Sequence, residues 1–153
     1  MRRFKFTLQP VLEHRTRIEE EKQQIVAQRG REVMEAEAEL ARLNERFRAG
    51  AAELREGHRG FDAQTLRAHY AHLQFLDGAI VAQISVVAER RVAHERARAD
   101  LLAASKERKV VEKLKERRRV TFMSEEALAD QKELDDMNAR RHGRNRHVAG
   151  GML

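Results

Sequence analysis

The sequence predicts an all-α chain, a long two-helix antiparallel coiled-coil hairpin with an overhanging second helix. Three observations predict it. Charged residues make up 37% of the 153 residues and aromatics only 5%, a composition that suits long helices better than a globular core. The single proline is at position 10, so no later residue removes a helical N–H. Apolar residues recur at seven-residue steps along most of the chain, the repeat of a coiled-coil seam.

Pro10 fits the first turn of a helix, where its missing N–H has no helical partner. Helix 1 is expected over about residues 10–56. Val11, Ile18 and Ile25 step by sevens; then the stripe slips by one residue, and Val26, Val33, Leu40, Phe47 and Leu54 step by sevens, with Ala36 and Leu43 at the alternate positions. Such a slip predicts a local change in supercoil. Gly57-His58-Arg59-Gly60 predicts a turn across 57–61. Asp62 is a good N-cap for a second helix, with Phe61 and Leu66 at the flanking staple positions.

Helix 2 is expected over about residues 62–141. Leu66, Leu73, Ile80 and Val87 step by sevens, with Tyr70 and Ile84 as alternates, and His94 and Leu101 continue the row. Val120, Met123, Ala127, Leu134 and Met137 form a stripe in another register. Residues 1–141 thus form one coiled coil, and 142–153, basic and glycine-rich, are expected to be a disordered tail. At 1.5 Å per residue, helix 1 is about 70 Å long and helix 2 about 120 Å, leaving an overhang of about thirty residues. Leu40 and Leu73 are expected between the helices, and Leu76 more exposed.

The composition also narrows function. There is no cysteine, so disulfides and thiolate metal sites are excluded. No stretch is expected to approach a membrane span, and a cytoplasmic location is expected. No GxxxxGK, HExxH or nucleophile elbow occurs in the sequence, so no enzyme activity and no cofactor are expected. His69 and His72 share a helix face, but no carboxylate completes a ligand set beside them, and no metal is expected.

Two features stand out as binding surfaces. Lys106–Arg119 holds eight basic and three acidic residues, a positive collar on a chain of net charge +6. It reads as a solvated exterior or as a face for an acidic partner; without interleaved aromatics or a known motif, nucleic acid is not expected. His72, Leu76, Ala79 and Gln83 are spaced by four, three and four residues, and with Phe75 they form a second strip on helix 2. That strip reads as a broad seam, as a self-association face, or as a docking surface for another protein.

Three stretches carry a family resemblance: Phe4-Lys5-Phe6-Thr7-Leu8-Gln9-Pro10-Val11-Leu12; His69-Tyr70-Ala71-His72-Leu73; and Glu107-Arg108-Lys109-Val110-Val111-Glu112-Lys113-Leu114-Lys115-Glu116 with Gln131-Lys132-Glu133-Leu134-Asp135-Asp136. Together they resemble the FliJ family, the stalk-like component of the bacterial flagellar protein-export apparatus. The resemblance implies a cytoplasmic coiled coil, peripheral to the inner membrane at the flagellar base. It implies that the chain binds the hexameric export ATPase, couples it to the cytoplasmic domain of the export gate, and handles export chaperones. It assigns gate binding to His72, Phe75, Leu76, Ala79 and Gln83.

ATPase binding is expected at the end bearing the chain termini, through Arg2, Arg3, Lys5, Lys113, Arg117, Arg118 and Arg119, by analogy with rotary shafts. The alternatives are the equivalent stalk of an injectisome, or a basic coiled coil that binds nucleic acid or a membrane surface. A steep salt dependence with DNA would favour the nucleic-acid reading, and stimulation of an ATPase ring the stalk.

The hairpin reading makes a direct prediction for solution scattering. A compact sphere of this length has a radius of gyration of about 15 Å. The chain should be strongly helical by circular dichroism and well above that radius; a value near it would contradict the hairpin.

Overall fold

The computed structural model describes the backbone of residues 3–149 and the side chains of residues 3–142. Two helices account for nearly all of it: α1, Gln9–Gly57, and α2, Ala63–Ala149. They form the expected antiparallel coiled-coil hairpin. The described residues group into two compact units, Arg17–Ser105 and Met1–Thr16 with Lys106–Leu153.

Unit Arg17–Ser105 contains the turn. The backbone N–H of Gly60 donates to the carbonyl of Gly57 at 2.9 Å. Phe61 folds its ring back over Gly57: a Cβ there would lie 2.2 Å from the ring, so any larger residue would have to push the ring aside. The same ring stacks on His69, with centroids 4.7 Å apart. Asp62 caps α2 as its sequence position predicts, accepting the Thr65 N–H at 2.8 Å, while the Leu66 N–H donates to the Asp62 carbonyl at 3.0 Å.

Beyond the turn the two helices run in opposite directions, and the meeting pairs show it. Gly50 lies against Leu73, Gly30 against His94, Gln83 against Ala36 and Arg90 against Glu32. On α1 the row Val26, Val33, Leu40, Phe47 and Leu54 is half-buried and the alternates Ala36 and Leu43 are buried, as the heptads predict. Leu40 and Leu73 are both half-buried.

Two parts of the predicted seam are corrected. The one-residue slip in α1 does not occur. The row 26, 33, 40 extends backwards to Glu19, and the row 36, 43 to Arg29 and Lys22, all half-buried, while Ile25 is 41% exposed. A straight heptad phase, once set by residues 26–57, can shift only by a stutter. Long polar residues keep that phase because their aliphatic stems can line the seam with the charged head in water.

On α2 the row Leu66, Leu73, Ile80 and Val87 holds, but its alternates lie three residues on, at 69, 76, 83, 90, 97 and 104. Leu76 is fully buried, and Ala97 and Ala104 are buried, whereas Tyr70 and Ile84 are 56% and 53% exposed.

Unit Met1–Thr16 with Lys106–Leu153 is built around a non-helical arm. Phe6 is buried. Its carbonyl accepts the Gln9 N–H at 3.0 Å, which turns the arm into α1. Phe4 packs on Phe122 at 5.7 Å between ring centroids, and the Arg118 guanidinium lies 5.9 Å from the centre of the Phe6 ring. Lys115 donates to the Gln9 side chain at 2.9 Å, and Arg15 pairs with Glu107.

Past Phe122, Glu126 is the only residue of α2 up to His142 that is not exposed. The expected overhang of about thirty residues is shortened, because the arm packs along α2 as far as Phe122; past it Met123, Leu128, Leu134 and Met137 are all more than half exposed. The backbone stays helical to Ala149, past the end expected at 141. Extending an existing helix needs no new nucleus, so one glycine costs it only about 1 kcal/mol. The last part of the expected tail, 150–153, lies outside the described residues.

Two outcomes test this seam. Leu76→Ala should cost about 2–5 kcal/mol, the range for removing a buried leucine side chain, while Ile84→Ala, measured in dilute solution where chains do not associate, should leave the melting temperature nearly unchanged; equal effects would contradict the register. The cap predicts a pH effect. Hydrogen bonds from Thr65 hold the Asp62 carboxyl below its ordinary 3.8. A depressed carboxyl stabilises the fold fully above its unfolded pKa and loses that contribution as pH falls through the folded one. The gap in melting temperature between the parent and Asp62→Ala should therefore be widest near neutrality and close below pH 3.8; a gap unchanged down to the acid limb would contradict it.

Candidate functional site

The seam decides which side chains are free to bind anything. Of the predicted strip on α2, His72 is exposed, Phe75 is 68% exposed and Ala79 is half-buried. Leu76 and Gln83 are corrected: both occupy seam positions. Leu76 has no exposed surface, and the Gln83 amide donates across to the Ala36 carbonyl at 3.0 Å. A four-three-four spacing is also the spacing of a coiled-coil seam, which is why residues of the seam could be taken for a second strip.

Three positions of this row carry polar residues, His69, Gln83 and Arg90, and each has a partner. His69 has the Phe61 ring, Gln83 the Ala36 carbonyl, and Arg90 the Glu32 carboxylate at 3.1 Å. Glu32 also accepts from Arg29 at 2.9 Å. The hydrogen bond from Arg29 is the largest cause of its lowered pKa, with the charge of Arg90 adding to it. Arg91 reaches Glu37 at 2.5 Å beside this cluster.

The second predicted surface is the basic end, within the unit of the arm. Arg3, Lys5, Lys113, Arg117, Arg118 and Arg119 are all exposed, and Arg2 lies outside the described residues. The structure brings Arg118 to Phe6 in the arm. Arg108 pairs with Glu112 at 2.6 Å and Lys115 bonds Gln9. Lys113, Arg117 and Arg119 form no ion pair among the described residues. Part of the collar therefore holds the arm, Arg108 is paired within its own helix, and Lys113, Arg117 and Arg119 present their charge outward.

A third surface was not predicted. Between Tyr70 and Ala88, Asp77 is the only charged residue. α2 contains an 18-residue window of mean hydropathy 1.4, of which 11% is buried. By length and composition this window is apolar enough to cross a membrane, which corrects the expectation that no stretch approaches a span. The signal is in the sequence, but the heptad reading consumed Tyr70 and Ile84 as seam residues. Among the described residues no group of three or more His, Asp or Glu is placed to hold a metal.

Known proteins resemble this chain over most of its length. The family model described as flagellar FliJ protein matches residues 4–147. No curated protein matches the chain. Among solved structures, a YscO homolog from Chlamydia trachomatis is similar, with a TM-score of 0.48 and 20% identity, covering 95% of this chain and 99% of that one. The family match takes in the arm, the turn and almost all of both helices, and the chain belongs to the FliJ family.

Proposed function

We propose that this chain is the coiled-coil stalk of a flagellar protein-export apparatus, a non-catalytic part that binds the export ATPase ring and couples it to the export gate and its chaperones. The observation that carries the reading is the family match over residues 4–147. On this reading the stalk works in the cytoplasm and meets the inner membrane only through its protein partners.

The ATPase contact falls to the end with the arm. Lys113, Arg117 and Arg119 carry free charge there, Arg3 and Lys5 extend it, and Arg2 precedes it in sequence. Arg118 adds its charge there too, while also lying against Phe6. Cations on a helix exterior attract an acidic pore over about a Debye length, about 8 Å at physiological salt. The gate contact falls to the exposed part of the α2 strip, His72 and Phe75 with Ala79 at their edge. Leu76 and Gln83 support it from behind by seating α2 on α1.

Stimulation of a purified export ATPase tests this. The double reversal Arg117→Glu with Arg119→Glu should reduce stimulation, most strongly at low salt, with helicity intact because neither side chain lies in the seam. Arg118→Glu should in addition raise hydrogen exchange at the Gln9 amide, by loosening Phe6. Full stimulation by the double reversal would sink the assignment of the basic end.

A further inference from the structure

We propose that the apolar face of α2 between Tyr70 and Val92 is an antiparallel dimer interface with a second copy of this chain. On a helix, Tyr70, Asp77 and Ile84 share one row and Gln74, Val81 and Ala88 the neighbouring row, with Ala71, Gly78, Ser85 and Val92 along their outer edge. Tyr70, Val81, Ile84 and Val92 are all more than half exposed, and a Cβ added at Gly78 would meet nothing within 4 Å. The face is about 33 Å long. It turns away from α1, since Leu76 on the other side of the helix is fully buried against it. Apolar faces this long on a polar protein mark contact sites.

The second copy is indicated by how the face matches itself. Antiparallel packing that sets Val81 against Ile84 of the other copy does so twice, by two-fold symmetry. The same register sets Gly78 against Ser85, small against small, so the backbones can approach. It sets Gln74 against Arg91, and it places Asp77, which has no ion-pair partner among the described residues, one turn from Arg91 of the other copy. Arg91 then bridges Glu37 of its own copy, at 2.5 Å, and the incoming Asp77. Tyr70 meets Glu95.

Parallel packing would set Asp77 against Asp77 and Arg91 against Arg91, which like-charge repulsion disfavours. A bilayer fits less well. Lipid cannot surround α2 while α1 lies along it with Glu32, Glu37 and Arg42, and charges at the bilayer centre are costly. The face that carries His72, Phe75 and Ala79 lies on the other flank of α2, so the dimer leaves the proposed gate contact open.

Sedimentation of the full chain should give the mass of two copies at tens of micromolar. Ile84→Asp should return it to one copy with unchanged helicity, and gate binding by that variant should persist. The absence of cysteine makes the register testable. A mixture of Gly78→Cys and Ser85→Cys chains should form a disulfide-linked pair under mild oxidation, and neither variant alone should. A single copy throughout the concentration range, or linkage of Gly78→Cys chains to themselves, would overturn the proposal. So would a monomer that inserts into anionic phospholipid vesicles through this face, which would assign the face to lipid.

Discussion

One row of interlocking side chains holds α2 to α1, and the rest of the molecule depends on it. The buried side chains in unit Arg17–Ser105 are few and mostly small: Ala36, Leu43, Leu76, Val87, Ala97 and Ala104. A two-layer contact cannot bury more, because each helix presents only two positions in seven to its neighbour. At about 25 cal/mol per Å², alanines contribute little each, so the larger residues carry most of the adhesion. Leu76 alone has no exposed surface. The small residues contribute differently: Gly50, 3.1 Å from Leu73 as a Cβ would be placed, lets the helices approach closely enough for the leucines to interlock.

Polar residues inside this seam fix its register more than its strength. Gln83 and Arg90 find their partners on α1 only when α2 is seated with Leu76 inward. A shift by one helical position would leave the Gln83 amide without the Ala36 carbonyl and separate Arg90 from Glu32. Exposed ion pairs are worth little in stability, yet unmade contacts at a seam select against the wrong alignment. The arm contributes a separate constraint at its own unit, where Phe4 and Phe6 hold Phe122 and Arg118 and Gln9, at the start of α1, holds Lys115. The same basic helix face thereby serves both to hold the arm and to present charge.

Much of this was legible in the residues. The helix ends at the turn, the Asp62 cap, the α1 rows from Val26 to Leu54 with Ala36 and Leu43, and the α2 row from Leu66 to Val87 all follow from spacing and turn chemistry. The alternate row of α2 did not. Its seam positions carry His69, Gln83 and Arg90, whereas the wrong positions carry Tyr70 and Ile84, so hydrophobicity pointed to the outside of the helix. The same error turned Leu76 and Gln83 into a surface strip and hid the exposed apolar face beside it. The slip proposed near Ile25 failed for a related reason: Ile25 is more apolar than Lys22 or Glu19, but a continuous phase outweighs the preference of one isoleucine. In the basic collar, charge was legible, and the pairing of Arg118 and Lys115 with the arm was not, because it depends on a fold-back of the chain.

Register, dimer face and gate strip all rest on position 76 facing α1. Thiol labelling of Leu76→Cys and Phe75→Cys in the native chain tests this directly, since the parent has no cysteine and the two sites are adjacent in one helix. A seam with Leu76 inside predicts rapid labelling at 75 and labelling at 76 that is slower by orders of magnitude and becomes fast only on unfolding. Similar rapid labelling at both sites would contradict it and restore Tyr70 and Ile84 to the interface.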